Sequence, residues 1–172
     1  MDQLQIKLLS KNAKLPTRNH STDAGFDIYA AETVILEPQE KALIATDIAV
    51  NIPKGYVGLL TSRSGVSSKT HLVVETGKID AGFHGNMKIN IKNDAEYIDV
   101  PCDALVCGFG LIDIKGNASE ELYQIQNSYG INKGDKLAQL VIVPIVTPQL
   151  QEVDEFSEVT ERGDKGFGSS GI

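Results

Sequence analysis

No stretch of the 172-residue sequence reaches the roughly 18 consecutive apolar residues that a membrane-spanning helix requires. The opening "MDQLQIKLLSKNAK" alternates polar with apolar residues where a secretory leader would carry a continuous apolar segment. A cytoplasmic protein without membrane association is expected. Cysteine is scarce: Cys102 and Cys107 have no His or third Cys beside them, so a zinc site lacks ligands and buried or free thiols are expected. Positive charge is in deficit, with 16 Lys and Arg against 23 Asp and Glu and a formal net charge of −7. That balance argues against nucleic-acid binding through a general basic surface, although a few local cations can still hold a small polyanion. The G-x-x-x-x-G-K-[ST] loop and the G-x-G-x-x-G fingerprint are both absent. "RGD" at 162–164 is too short to mean adhesion in a cytoplasmic protein.

What is present has a period of two. "QLQIKLL" sets Leu4, Ile6 and Leu8 on one face, and "NMKINIKN" sets Met87, Ile89 and Ile91 opposite Lys88, Asn90 and Lys92. "TVILEP", "ALIATDIAVNI", "YVGLLT", "LVVET" and "KLAQLVIVPIV" add short β-branched runs between turn signals such as "PKG", "DAG", "HGN" and "NKGD". An all-β fold is expected, a distorted jelly roll or β-sandwich with at most one or two short helices. One helix is placed in "SGVSSKTH", capped by Ser64 or Ser67. A single domain spans 1–160. Between about 94 and 132 the pattern loosens, as expected of an insertion, with "NASEELYQIQNSY" as a candidate short helix. Residues 161–172, rich in Gly and Ser, read as a flexible arm.

Polar clusters punctuate the strands. "TSRSG" places Arg63 between hydroxyls and ends on Gly65, so guanidinium, Ser64 and backbone N–H groups could converge on phosphate oxygens. "GKIDAGFHG" carries Asp80 at a strand end, a candidate general base or a turn cap, followed by Phe83. In "DAGFDIYA", Asp23 and Asp27 are hard oxygen ligands suited to Mg²⁺, directly or through its waters, or members of Asx-turns. "GDKLAQL" sets Gln139 in an apolar strand, where its amide needs a partner or a ligand.

Taken in order, "DAGFDIYA", "TSRSG", "GKIDAGFHG", "GDKLAQLVI" and "RGDKGFGSSG" resemble the five motifs of the homotrimeric dUTPase family, spread over nearly the whole chain. "GLLTSRSGVSSKTHLVVETGKIDAG" and the extra segment before "GDKLAQL" resemble the dUTPases of staphylococcal phages in particular, which would put the protein in the host cytoplasm. The resemblance implies a jelly-roll (β-clip) subunit in a homotrimer, with Mg²⁺-dependent hydrolysis of dUTP to dUMP and pyrophosphate. It implies Asp80 as the carboxylate that deprotonates the water attacking the α-phosphorus, with Ser64 near the bridging oxygen of the scissile bond. Arg63, Gly65 and Gln139 would contact phosphate, and Asp27 would hold Mg²⁺ through water. Phe83 stands where most members have a tyrosine under the deoxyribose, which keeps steric rejection of a 2′-hydroxyl but removes the phenol's hydrogen bond. Ser62 replaces a usual proline. "VVETGKID" would be the hairpin whose backbone reads uracil, shorter than the common form and without its usual asparagine. In the C-terminal arm, Phe167 would stack on uracil while Arg162, Gly168 and Ser169 reach the phosphates.

Two alternatives accompany that expectation. A dCTP deaminase shares the fold and some motif text, but "GFGSSG" belongs to the hydrolase's closing arm and no deaminase-type glutamate stands in a matching context. A mainly regulatory protein is the other: some staphylococcal phage dUTPases act as derepressors of pathogenicity islands by binding a repressor. Its signature would be the segment at about 94–132.

Overall fold

The computed structural model describes residues 3–98, 108–161 and 163–164. Thirteen strands and one helical turn follow in chain order: β1 (Gln5–Leu8), β2 (Gly25–Tyr29), β3 (Val34–Leu36), β4 (Lys41–Ala45), β5 (Ile48–Asn51), β6 (Tyr56–Ser62), α1 (Ser64–Ser67), β7 (Leu72–Val74), β8 (Gly77–Ile79), β9 (Lys88–Asn93), β10 (Phe109–Ile112), β11 (Ala118–Tyr123), β12 (Tyr129–Ile131) and β13 (Lys136–Pro144). They form a four-stranded sheet β2-β13-β6-β8, a three-stranded sheet β4-β9-β7, a four-stranded sheet β11-β10-β12-β3 and the pair β1-β5. All ladders are antiparallel except β10 with β12. This is the all-β, jelly-roll-like architecture expected from the sequence. Among the described residues, no helix is long and apolar enough to cross a membrane.

Alternation decides which faces are inside. In β9, Ile89, Ile91 and Asn93 point into the core while Lys88 and Lys92 on the opposite face are exposed or half-buried. Burying side chains of that size contributes about 1.5–3 kcal/mol each, which fixes the strand's register against a one-residue slip. The central strand β13 is apolar on both faces at Leu137, Ala138 and Leu140, all fully buried between β2 and β6. Leu4, just before β1, and Ile6 within it pack on this core, but Leu8 remains about half exposed at 49%. The strand is an outlying one, paired only with β5, and its far end overhangs the core.

Two sequence expectations are corrected. The helix after Arg63 is a single turn whose N-cap is Arg63 itself, without any side-chain cap bond; Ser64 already lies inside the turn, and Ser67 Oγ donates back to the Arg63 and Ser64 carbonyls. Val66, 1% exposed, anchors that turn to the core. "NASEELYQIQNSY" forms no helix among its described residues: it makes β11 and a turn, because Gly116 at φ 83° reverses the chain onto β10 before a helical turn can start. Cys102 and Cys107 lie outside the described residues.

Candidate active site

The C-terminal end of β6 and the neighbouring rungs of β2 and β13 create one polar cluster inside an apolar sheet. Cross-strand register sets Gln139 directly opposite Asp27 on one side and Thr61 on the other. Asp27 is 3% exposed, so its charge needs partners. Arg63 Nε donates to its Oδ1 at 2.8 Å, Lys136 Nζ lies 2.9 Å from Oδ2, and Gln139 Nε2 donates to Oδ1 at 3.4 Å. Arg63 Nη1 also donates to the Lys136 carbonyl at 3.2 Å, tying the end of β6 to the start of β13. Burial pushes the Asp27 carboxyl upward, but hydrogen bonds from Lys136 and Gln139 and the charges of Arg63 and Lys136 outweigh it and hold the group below its ordinary value. The same hydrogen bond raises Lys136 above its ordinary value. The cluster is an ionised frame whose two cations, Arg63 and Lys136, also line a cavity at the surface.

Three of the residues singled out in the sequence thus meet: Asp27, Arg63 and Gln139. Ser64 and Gly65 follow Arg63 and are exposed. A Cβ on Gly65 would have nothing within 4 Å, so the subunit's own packing does not require glycine there. Asp23 stands apart, its carboxylate accepting the His20 N–H at 2.9 Å in a turn. Lys136, which the sequence does not mark, completes the cluster: it opens the strand that pairs with β2, where the buried acid demands a cation.

Asp80 and Phe83 lie elsewhere. Ile79, the last residue of β8, pairs with Gly58, so Asp80 falls beside Val57 near the start of β6 while Arg63 follows its end. Six residue steps separate those positions, roughly 20 Å at the usual strand rise. Asp80 is exposed, with its carbonyl accepting the Phe83 N–H at 3.1 Å, and the half-exposed Phe83 ring lies over Gly85. "VVETGKID" is not a paired hairpin: β7 joins β9 in one sheet and β8 joins β6 in another, because Leu72 and Val74 turn inward to the core and the chain crosses sheets at Glu75–Thr76. Ser62 Oγ bridges the crossing, bonding both the N–H and the carbonyl of Val74 at 3.2 and 3.4 Å. Arg162, Phe167, Gly168 and Ser169 lie outside the described residues.

A jelly-roll-like β protein with a cluster of cations around a buried carboxylate at one end of β6 and the exposed carboxylate of Asp80 near the other has the groups that a hydrolase acting on phosphate esters would need. Comparison with known proteins gives the class a family. The dUTPase family model matches residues 11–109 and 102–171. The solved structure of Staphylococcus bacteriophage 80alpha dUTPase with dUPNHPP is similar over 100% of both chains, at 60% identity and a TM-score of 0.88. The dUTPase from phage phi11 of S. aureus, solved to visualise its species-specific insert, covers 91% of this chain and 99% of its own at 62% identity and a TM-score of 0.81. A point mutant of that phi11 enzyme was described for its coordination of a structural Mg(II) ion. The Mycobacterium marinum deoxyuridine 5'-triphosphate nucleotidohydrolase is 36% identical over 99% of this chain and 96% of its own. The chain belongs to the dUTPase family and is an enzyme of the dUTP diphosphatase class.

Proposed function

We propose that the protein hydrolyses dUTP to dUMP and pyrophosphate in a homotrimer whose sites are shared between subunits, limiting uracil in DNA and supplying dUMP. The observation that carries the shared site is the separation of about 20 Å between Asp80 and Arg63. A base and a phosphate clamp acting on one triphosphate must lie within a few ångströms of the same phosphorus. One subunit therefore supplies Asp80 and Phe83, and another supplies Asp27, Arg63, Ser64, Gly65 and Gln139. A second observation favours assembly: among the residues after β13, Val146, Leu150, Phe156 and Val159 are between 89% and 100% exposed, apolar surface that a neighbouring copy would cover.

In this reading Asp80 takes the proton of a water that attacks the α-phosphorus, the bond to the bridging oxygen breaks, and pyrophosphate leaves. Ser64 donates to that oxygen, while Arg63, the Gly65 N–H and Gln139 stabilise the phosphate charge. Phe83 packs under the deoxyribose and excludes a 2′-hydroxyl, and strand backbone reads uracil. The arm at 161–172, with Arg162, Phe167, Gly168 and Ser169, closes over the nucleotide beside the domain at 1–160. Mg²⁺ would neutralise the triphosphate. The donor set fits such an ion only if substrate and water supply most of its ligands: among the described residues no group of three or more His, Cys, Asp or Glu could hold a metal. Both Asp27 oxygens already face cations, so Asp27 would act through coordinated water.

The test is pyrophosphate release from dUTP against dCTP, dTTP and UTP with Mg²⁺. Turnover of dUTP alone is expected. No release from dUTP refutes the reading, and ammonia from dCTP would make the protein a deaminase.

A second role, binding a repressor protein in the host cytoplasm, is favoured by β11. It is the edge strand of its sheet, and five of its six residues are exposed, which leaves a pairing edge open to a partner. Deleting the whole segment would also remove Ile114 and Tyr129 from the core, so the test is by substitution. Replacing Glu120 with Pro should abolish repressor binding in pull-down and spare dUTP turnover; retained binding refutes the role.

A further inference from the structure

The cavity at the end of β6 is wider than the residues so far given a role. Its volume is about 430 Å³, and its lining includes Arg63, Gly65, Lys69, Lys115, Asp135 and Lys136. That is a local excess of cations in a chain of net charge −7. The carboxylate of Asp135 accepts the Asn132 N–H at 2.8 Å within its own turn, and Arg63 and Lys136 already face Asp27. Among the described residues, neither Lys69 nor Lys115 is held in an ion pair. Asp113, close to Lys115 in the chain, accepts the N–H groups of Lys115 and Asn117 at 2.8 and 2.9 Å, so it closes its own turn.

Lys115 is held at the cavity by its two neighbours. Ile114, 9% exposed, is buried in the core. Gly116, at φ 83°, approaches so closely that a Cβ there would lie 2.5 Å from the Lys69 carbonyl oxygen. Only glycine allows that backbone-on-backbone contact. The β10–β11 turn is thereby docked on the segment that follows α1, and a residue of the irregular stretch is set beside the phosphate-facing loop.

We propose that Lys115, together with Lys69, binds the terminal phosphates of the nucleotide, the half that leaves as pyrophosphate. The proposal rests on dUTP being the substrate. A triphosphate brings about four negative charges, of which Mg²⁺ would offset about two. Since Arg63 and Lys136 already share one buried carboxylate, Lys69 and Lys115 are the cations of this cavity left to offset the rest. A monophosphate never reaches them.

The experiment is calorimetric titration of wild type, K115Q and K115R with a non-hydrolysable imido analogue of dUTP, with dUMP and with inorganic pyrophosphate. K115Q should bind the analogue and pyrophosphate about 5- to 10-fold more weakly, with a shallower salt dependence, and dUMP unchanged. K115R should stay near wild type, since charge and not shape is required. Equal affinity of K115Q and wild type for the analogue overturns the proposal, as does equal weakening for dUMP, which would make Lys115 a structural residue. A loss confined to pyrophosphate would make the cavity a separate anion site and also overturns it. If wild type turns over dUTP and K115Q is unaffected, this assignment alone fails; if wild type neither binds the analogue nor turns over dUTP, the proposed function fails with it.

Discussion

The separation of Asp80 from Arg63 along β6 predicts that two inactive variants restore each other. Asp80→Asn removes the proposed base, and Arg63→Gln removes a phosphate clamp; each alone should lose about 100-fold or more in kcat. Both should fold. Asp80 is exposed, and without Arg63 the buried Asp27 keeps Lys136 at 2.9 Å. In a one-to-one mixture assembled at random, a site between neighbours is intact only where the Arg63→Gln chain supplies Asp80 and the Asp80→Asn chain supplies Arg63. In a cyclic homotrimer that combination occurs at about one site in four, so co-refolding should bring activity from roughly 1% to roughly 25% of wild type. The assay is steady-state pyrophosphate release after joint dilution from urea, against the two variants refolded separately and then mixed. Activity that stays at the parental average after joint refolding would show that both groups serve a site within one chain, and the reasoning from register would be wrong.

The remaining predictions concern charge, metal and the C-terminal arm. Asp27→Asn should cost about 2 kcal/mol at pH 7 by urea unfolding, less than the roughly 3–5 of a fully buried pair because Arg63 and Lys136 retain 24% and 33% of their side-chain exposure. Since the folded carboxyl sits below its ordinary value of 3.8, its stabilisation is present above that pH and fades as pH falls through the folded value; the gap between wild type and variant should narrow below pH 3.8, and a gap constant down to pH 3 would refute the ionised cluster. Chelating Mg²⁺ should weaken the imido analogue of dUTP by more than about 10-fold while leaving dUMP within about 2-fold, measured by calorimetry. Ending the chain after Glu161 should leave a folded trimer by light scattering with weak turnover; full activity would remove the arm from the site.

Alternation was the most legible layer of this sequence. Met87, Ile89 and Ile91 are buried as their spacing predicts, because a half-buried strand cannot reverse its faces without exposing its apolar set. The residue types around Arg63 and Asp27 announced an anion and a carboxylate, and pairing between β2, β13 and β6 brought them together. Lys136 escaped notice because a lysine at a strand start is ordinary until its opposite strand is known to bury an acid. The separation of "VVETGKID" into two sheets was also hidden. Alternation at Leu72 and Val74 fixes which side chains turn inward but not which strand they pair with. In the segment before β13, "NASEELYQIQ" has enough acidic and small residues to suit a helix, and only the turn at Gly116 and the pairing with Phe109–Ile112 make it a strand.

The length of β6 has a consequence for how the enzyme can be controlled. If its two ends serve different sites, each chain is half of two catalysts and the whole of none. The rate per chain then falls on dilution, as subunits part, without any change in a single side chain. A molecule that wedges subunits apart would silence hydrolysis while every nucleotide-contacting residue stayed in place, and it would bear no chemical likeness to dUTP.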